Sequence, residues 1–176
     1  METIIYLILV YILVFKLVPF VIYPNYLLGS KVENYPAMRR LSKRLTERTR
    51  LETFENVYRY VKKNYSGGSE GLNPRNWLEL LNIGDFSTES MLRRKGFVWC
   101  HNQNRIMRSL LINTGKFKEE DIKVKYSFWQ TKLLGKTRPS SYLWKWIATH
   151  QWLEIKLNGK MVFVDPFYRI CDIRNS

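Results

Sequence analysis

Three residues of this chain have the types and order that cysteine acyl-transfer chemistry requires: Cys100, His150 and Asp165. Cys100 closes Gly96-Phe97-Val98-Trp99-Cys100, just before an apolar-periodic run. His150 opens the alternating stretch His150-Gln151-Trp152-Leu153-Glu154-Ile155-Lys156-Leu157. Asp165 ends the next one, Lys160-Met161-Val162-Phe163-Val164-Asp165, ahead of Pro166. Together they supply a nucleophile, a base and an acid that orients the base. Each also has a plainer reading. A cysteine in apolar company is often a small buried hydrophobe, and an Asp before Pro often starts a turn. A metal site built from Cys100, His101 and His150 is disfavoured, because the chain has two histidines and no paired-cysteine spacing. The chemistry calls for no cofactor.

Two local features argue that the three residues share a site. If a helix begins at about Cys100 or His101, the thiol sits at its N-terminus. Unpaired N–H groups and the positive dipole end there favour a thiolate and an oxyanion. Asn158-Gly159 between the two alternating runs signals a two-residue type I′ hairpin turn. That turn pairs Leu157 with Lys160, so Trp152 faces Asp165. Side chains two apart share a sheet face, which places His150 and Asp165 on one face as diagonal neighbours, roughly 7–8 Å apart at the backbone. A one-residue slip would separate them onto opposite faces.

Further elements must hold these parts. Leu41, Leu45, Phe54, Tyr58, Val61 and Tyr65 recur at helical spacing, which predicts one long amphipathic helix from about Ser42 to Asn64. Ser66-Gly67-Gly68-Ser69 ends it. Asn73-Pro74 can cap a short helix carrying Trp77, Leu80 and Leu81, and Ser87 or Thr88 another that Gly96 terminates. The helix from Cys100 carries Ile106, Met107, Leu110 and Leu111 and should stop near Thr114-Gly115. Ile122, Val124, Tyr126 and Phe128 alternate with polar residues, as a strand does. Helices first and strands after imply an α+β class, with helices packed on an antiparallel sheet.

At 176 residues the chain is one domain with a short appendage, and its apolar content of 45% excludes a disordered protein. Two cysteines, Cys100 and Cys171, are too few for a disulfide framework. The appendage is the N-terminus. From Ile4 to Tyr23 the chain is apolar except for Lys16, and twenty helical residues span about 30 Å of hydrocarbon. The lysine costs about 2.5–3.5 kcal/mol on insertion scales, which the Leu, Ile, Val and Phe content can offset. No basic residue precedes the run and no small-x-small site follows it, which disfavours a cleaved signal peptide. The expected organisation is a membrane anchor helix over 1–28, a linker over 29–41 and a catalytic domain over 42–176.

The flanks set the orientation. Lys31, Arg39, Arg40, Lys43, Arg44, Arg48 and Arg50 follow the run, so the positive-inside rule puts the C-terminal domain in the cytoplasm. The formal charge of +14 predicts attraction to an anionic surface. Anionic lipid beside the Arg39–Arg50 cluster fits this, and a solvated helix face fits it equally. No nucleic-acid-binding motif accompanies the charge, so no nucleic acid is expected.

At its chemistry-bearing residues the chain resembles the transglutaminase-like superfamily, a circular variation on the papain-type thiol fold. The resemblance rests on Gly96 and Cys100, Leu110-Leu111 and Gly115, His150-Gln151-Trp152-Leu153-Glu154, and Val164-Asp165-Pro166, and covers roughly residues 42 to 170. Three residues stand between Gly96 and Cys100, where many members are tighter, and Gln151 replaces a frequent small residue. The resemblance implies Cys100 as nucleophile, His150 as base and Asp165 as the residue orienting His150, with a protein or peptide substrate. The expected function is that of a membrane-anchored thiol enzyme acting on amide or peptide bonds through a Cys thioester. The alternative is an inactive interaction module at the membrane. It would use the basic and aromatic stretch in which Tyr126, Trp129, Tyr142, Trp144 and Trp146 interleave with Lys132, Lys136, Arg138 and Lys145.

Overall fold

Thr49 interrupts the long helix that the apolar spacing predicts. The computed structural model describes residues 2–13, 32–68, 70, 73–76, 87–127 and 150–173. After α1 (Glu2–Ile12), it has two helices in place of the expected one, α2 (Pro36–Leu45) and α3 (Arg50–Asn64). The reason is local. Thr49 accepts from the Glu52 N–H at 3.1 Å while Glu52 Oε2 accepts from the Thr49 N–H at 3.0 Å, a reciprocal cap that starts a new helix. Thr53 Oγ1 adds a bond from the Glu47 N–H at 2.9 Å. The apolar spacing runs across the break because both helices bury their stripes in the same core. Helix α2 also begins inside the segment expected to be linker. Met38 is fully buried, and Asn113 Nδ2 donates to the Glu33 carbonyl at 2.7 Å.

Helix α3 runs into β1 (Tyr65–Ser66). After a 3₁₀ turn at Pro74–Asn76 come α4 (Thr88–Arg94), β2 (Gly96–Phe97) and α5 (Cys100–Asn113). Ser87 caps α4 by accepting from the Ser90 N–H at 3.2 Å. Trp77, Leu80 and Leu81 lie outside the described residues. The chain then builds β3 (Ile122–Ser127), β4 (His150–Leu157), β5 (Lys160–Asp165) and β6 (Ile170–Cys171), a four-stranded antiparallel sheet in sequential order. The four-stranded sheet follows the helices, and the class is mixed α+β.

Helix α5 is the hub, with α2, α3 and β4 packed on it. Every residue from Cys100 to Leu111 is buried. Ile106, Met107, Leu110 and Leu111 meet Phe54, Val57 and Val61 of α3, and Leu153, Ile155, Val162 and Val164 of the sheet. Each such side chain contributes about 1.5–3 kcal/mol by leaving water. Two polar residues on α5 are tied off at its flanks. Arg108 pairs with Glu119 at 3.0 Å, and Ser109 Oγ accepts from the Glu33 N–H at 2.9 Å. Gly115, at φ +73°, takes the left-handed conformation that ends the helix.

Helix α1 is different in kind. Its apolar side chains are exposed except for half-buried Tyr11, with Ile4 63%, Tyr6 68% and Leu9 59% exposed, and it has no buried residue. Among the described residues no helix is long and apolar enough to cross a membrane. The remainder of the expected anchor, including Lys16 and Pro19, lies outside the described residues.

Candidate active site

The hairpin forms in the register that Asn158-Gly159 dictates. Asn158 (φ +49°) and Gly159 (φ +83°) both take positive φ, as a type I′ turn demands. The pairs run from Leu157 with Lys160 to Leu153 with Val164. Leu153, Ile155, Leu157, Val162 and Val164 join the hydrophobic core. By the strand alternation, His150, Trp152, Phe163 and Asp165 occupy the opposite face. There the diagonal gap closes, with His150 Nε2 at 2.8 Å from Asp165 Oδ2. Both side chains are buried, at 1% and 0% exposure.

Asp165 also starts a turn. Its Oδ1 accepts from the Tyr168 N–H at 3.2 Å, and the Arg169 N–H donates to the Pro166 carbonyl at 3.1 Å. The carboxylate therefore serves both the His150 pair and the turn, one oxygen for each. That turn delivers Phe167 and Tyr168. The Tyr168 ring stands edge-on to the His150 ring at 5.0 Å, and the Phe167 ring lies 6.0 Å from it. Trp152 stacks on His150 from the neighbouring position of β4 at 6.3 Å.

Cys100 is the first residue of α5, as the helix-start argument expects. It packs in one buried cluster with Trp99, Phe167 and Tyr168. Phe167 and Tyr168, whose rings lie against His150, thus belong to the same buried cluster as Cys100. Trp99 stacks on Phe167 at 6.0 Å, and its indole Nε1–H donates to the Asn76 carbonyl at 2.8 Å. Trp99 is also the N-cap of α5, and it makes no side-chain capping bond to the first turn.

Sequence reading missed the short segment that links the two halves. Strands β1 and β2 pair in parallel, Tyr65 with Gly96 and Ser66 with Phe97. The Ser66 carbonyl accepts from Gln103 Nε2 at 2.8 Å and from the Val98 N–H at 3.3 Å, and Gln103 Nε2 also donates to the Val98 carbonyl at 2.8 Å. These bonds fix the approach to Cys100 from both sides in sequence. The next residue, Gly67, seats the other half. A Cβ there would stand 2.6 Å from Phe167 Cδ2 and 2.7 Å from the Phe167 carbonyl oxygen. Gly67 is required for space, because only a hydrogen fits against Phe167. Its place in Ser-Gly-Gly-Ser reads as a helix stop, and no local pattern announces a partner a hundred residues on.

Two other titratable groups separate themselves from the chemistry. Burial, aided by the Arg105 guanidinium, pushes His101 down to about 3, so its ring is neutral at physiological pH. Burial pushes the Cys171 thiol up to about 11, which makes it a poor nucleophile. Residues 128–149, with most of the basic and aromatic stretch, lie outside the described residues. No family model matches the chain, and neither does any curated protein or solved structure.

Proposed function

We propose that this protein is a membrane-anchored thiol enzyme of transglutaminase-like type, acting on amide or peptide bonds through a thioester on Cys100. The observation that carries the reading is the buried 2.8 Å pair of His150 and Asp165, whose flanking rings Phe167 and Tyr168 share a cluster with a cysteine that opens a buried helix. With the Asp165 carboxylate as acceptor, the imidazole proton sits on Nε2, and Nδ1 is the nitrogen that would serve the thiol. In that scheme His150 takes the Cys100 proton and the sulfur bonds the acyl carbon. The first N–H groups of α5 suit the resulting oxyanion, since no N-cap side chain occupies them. The C–N bond then breaks, His150 returns its proton to the leaving amine, and a thioester remains. Water would release an acid and regenerate the thiol, while a second amine would give transfer.

The anchor in this reading is supported by α1. A helix apolar on all sides and buried nowhere fits lipid better than water. By the positive-inside rule, the basic residues after it favour a cytoplasmic side for the domain. The test of the enzyme reading is alkylation by iodoacetamide at mildly acidic pH. Cys100 should react faster than a free model thiol and well ahead of Cys171, and Cys100→Ala should abolish the labelling. Reaction of Cys100 no faster than the model thiol would sink it.

Burial favours a second reading. Cys100 is only 4% exposed and His150 only 1%, which suits an inactive module that has kept the packing of the site. Membrane binding unchanged by Cys100→Ala, with neither turnover nor fast alkylation, would select that reading.

A further inference from the structure

Helix α2 is sharply two-faced. Met38, Leu41 and Ser42 are buried, while Arg39, Arg40, Lys43 and Arg44 are exposed, and the ten residues include no acid. Some basic residues elsewhere have carboxylate partners: Arg50 pairs with Asp121 at 3.0 Å, Arg108 with Glu119 at 3.0 Å and Lys125 with Glu154 at 3.6 Å. Among the described residues Arg40, Lys43 and Arg44 form no ion pair, and Arg39 donates only to Asn34. The i,i+4 spacings of Arg39 to Lys43 and Arg40 to Arg44 set like charges side by side, at about 0.2–0.5 kcal/mol each. An isolated helix gains nothing from that arrangement. Arg40, Lys43 and Arg44, with Ala37, also line an open hollow of about 610 Å³.

We infer that this face of α2 is a docking surface for the phosphate headgroups of an anionic lipid leaflet. Three of the four cations are held around one hollow with no carboxylate partner among the described residues, so an external phosphate is the partner whose charge complements them. The choice of a lipid leaflet over another anion rests on the membrane reading of α1, whose exposed apolar side chains precede α2 in the chain. Arg39, Arg40, Lys43 and Arg44 belong to a helix whose other face is locked into the core by Met38 and Leu41. The cations are therefore presented by a rigid element, and docking them would fix how the domain, with its Cys100 site, sits on the surface.

The test uses the full chain and phosphatidylcholine vesicles with and without phosphatidylglycerol. Binding to the neutral vesicles reports on α1. The increment on adding anionic lipid reports on α2 and should be on the order of 100-fold, from about 1 kcal/mol for each of three charges. The variant R40Q/K43Q/R44Q should lose most of that increment, keep its binding to neutral vesicles and keep its unfolding midpoint, since these side chains are exposed. The charge-preserving R40K/R44K should retain the increment. An increment that survives R40Q/K43Q/R44Q overturns the proposal, as does its absence from the unmodified chain. Failure to bind neutral vesicles overturns the α1 reading alone and leaves the increment to decide the role of α2. Loss of duplex-DNA binding in the triple variant, with vesicle binding unchanged, would also overturn the lipid assignment.

Discussion

Asp165 holds His150 by its Oδ2 at 2.8 Å and the Tyr168 N–H by its Oδ1 at 3.2 Å, so one buried carboxylate orients the imidazole and the turn that walls it. Removing it strands two buried donors, each costing about 1–3 kcal/mol. Asp165→Ala should therefore lose on the order of 3 kcal/mol in chemical denaturation. Asp165→Asn keeps the shape but not the charge. It should lose less stability and still slow Cys100 alkylation. A loss under about 1 kcal/mol for the alanine variant would mean that the pair holds nothing together.

Gly67 is the point where added volume reaches the site. Gly67→Ala must displace the Phe167 ring or its carbonyl, at about 1–3 kcal/mol. Because Phe167 stacks on Trp99 and borders His150, Cys100 alkylation should slow as well. Gly68→Ala is the control. Nothing lies within 4 Å of a Cβ there, and its φ of +62° is strained for alanine by about 1–2 kcal/mol. It should lower stability and leave Cys100 reactivity alone. Equal effects of the two variants on alkylation would reduce Gly67 to a backbone role.

His101 predicts an acid-sensitive fold. Its ring is held neutral down to about pH 3, while the unfolded chain takes up a proton near 6.5. The unfolded state thus binds more protons between those values, and stability falls as pH falls from about 6.5 toward 3. The slope approaches about 1.4 kcal/mol per pH unit. His101→Asn should remove that component when urea midpoints are compared between pH 7 and pH 5. Parallel curves for the two proteins would show that His101 does not cause it.

Thr49→Ala should cost about 0.5–2 kcal/mol through loss of the reciprocal cap on α3. Circular dichroism should show the first turn of α3 fraying with the sheet intact. If instead α2 and α3 fused into one helix with no loss of stability, the break would be set by packing and not by the cap.

The site was half legible in the sequence because half of it is local. Type I′ chemistry at Asn158-Gly159 and a period of two specify the register, and the register puts His150 and Asp165 on one face. The start of α5 at Cys100 is equally local, marked by where the apolar helical period begins. The break between α2 and α3 had a local sign too, Thr49-x-x-Glu52, but a shared core gave both helices one continuous apolar rhythm that masked it.

What the sequence determined by itself, then, is which residues could act and how the hairpin and the helix present them. The tertiary structure alone decided how the two presentations meet. Gly67 against Phe167, the Ser66 carbonyl under Gln103, and Phe167 and Tyr168 in one cluster with Cys100 are contacts between segments far apart in the chain. Periodicity and turn chemistry act over a few residues, whereas close approach of distant backbones depends on how the whole core packs.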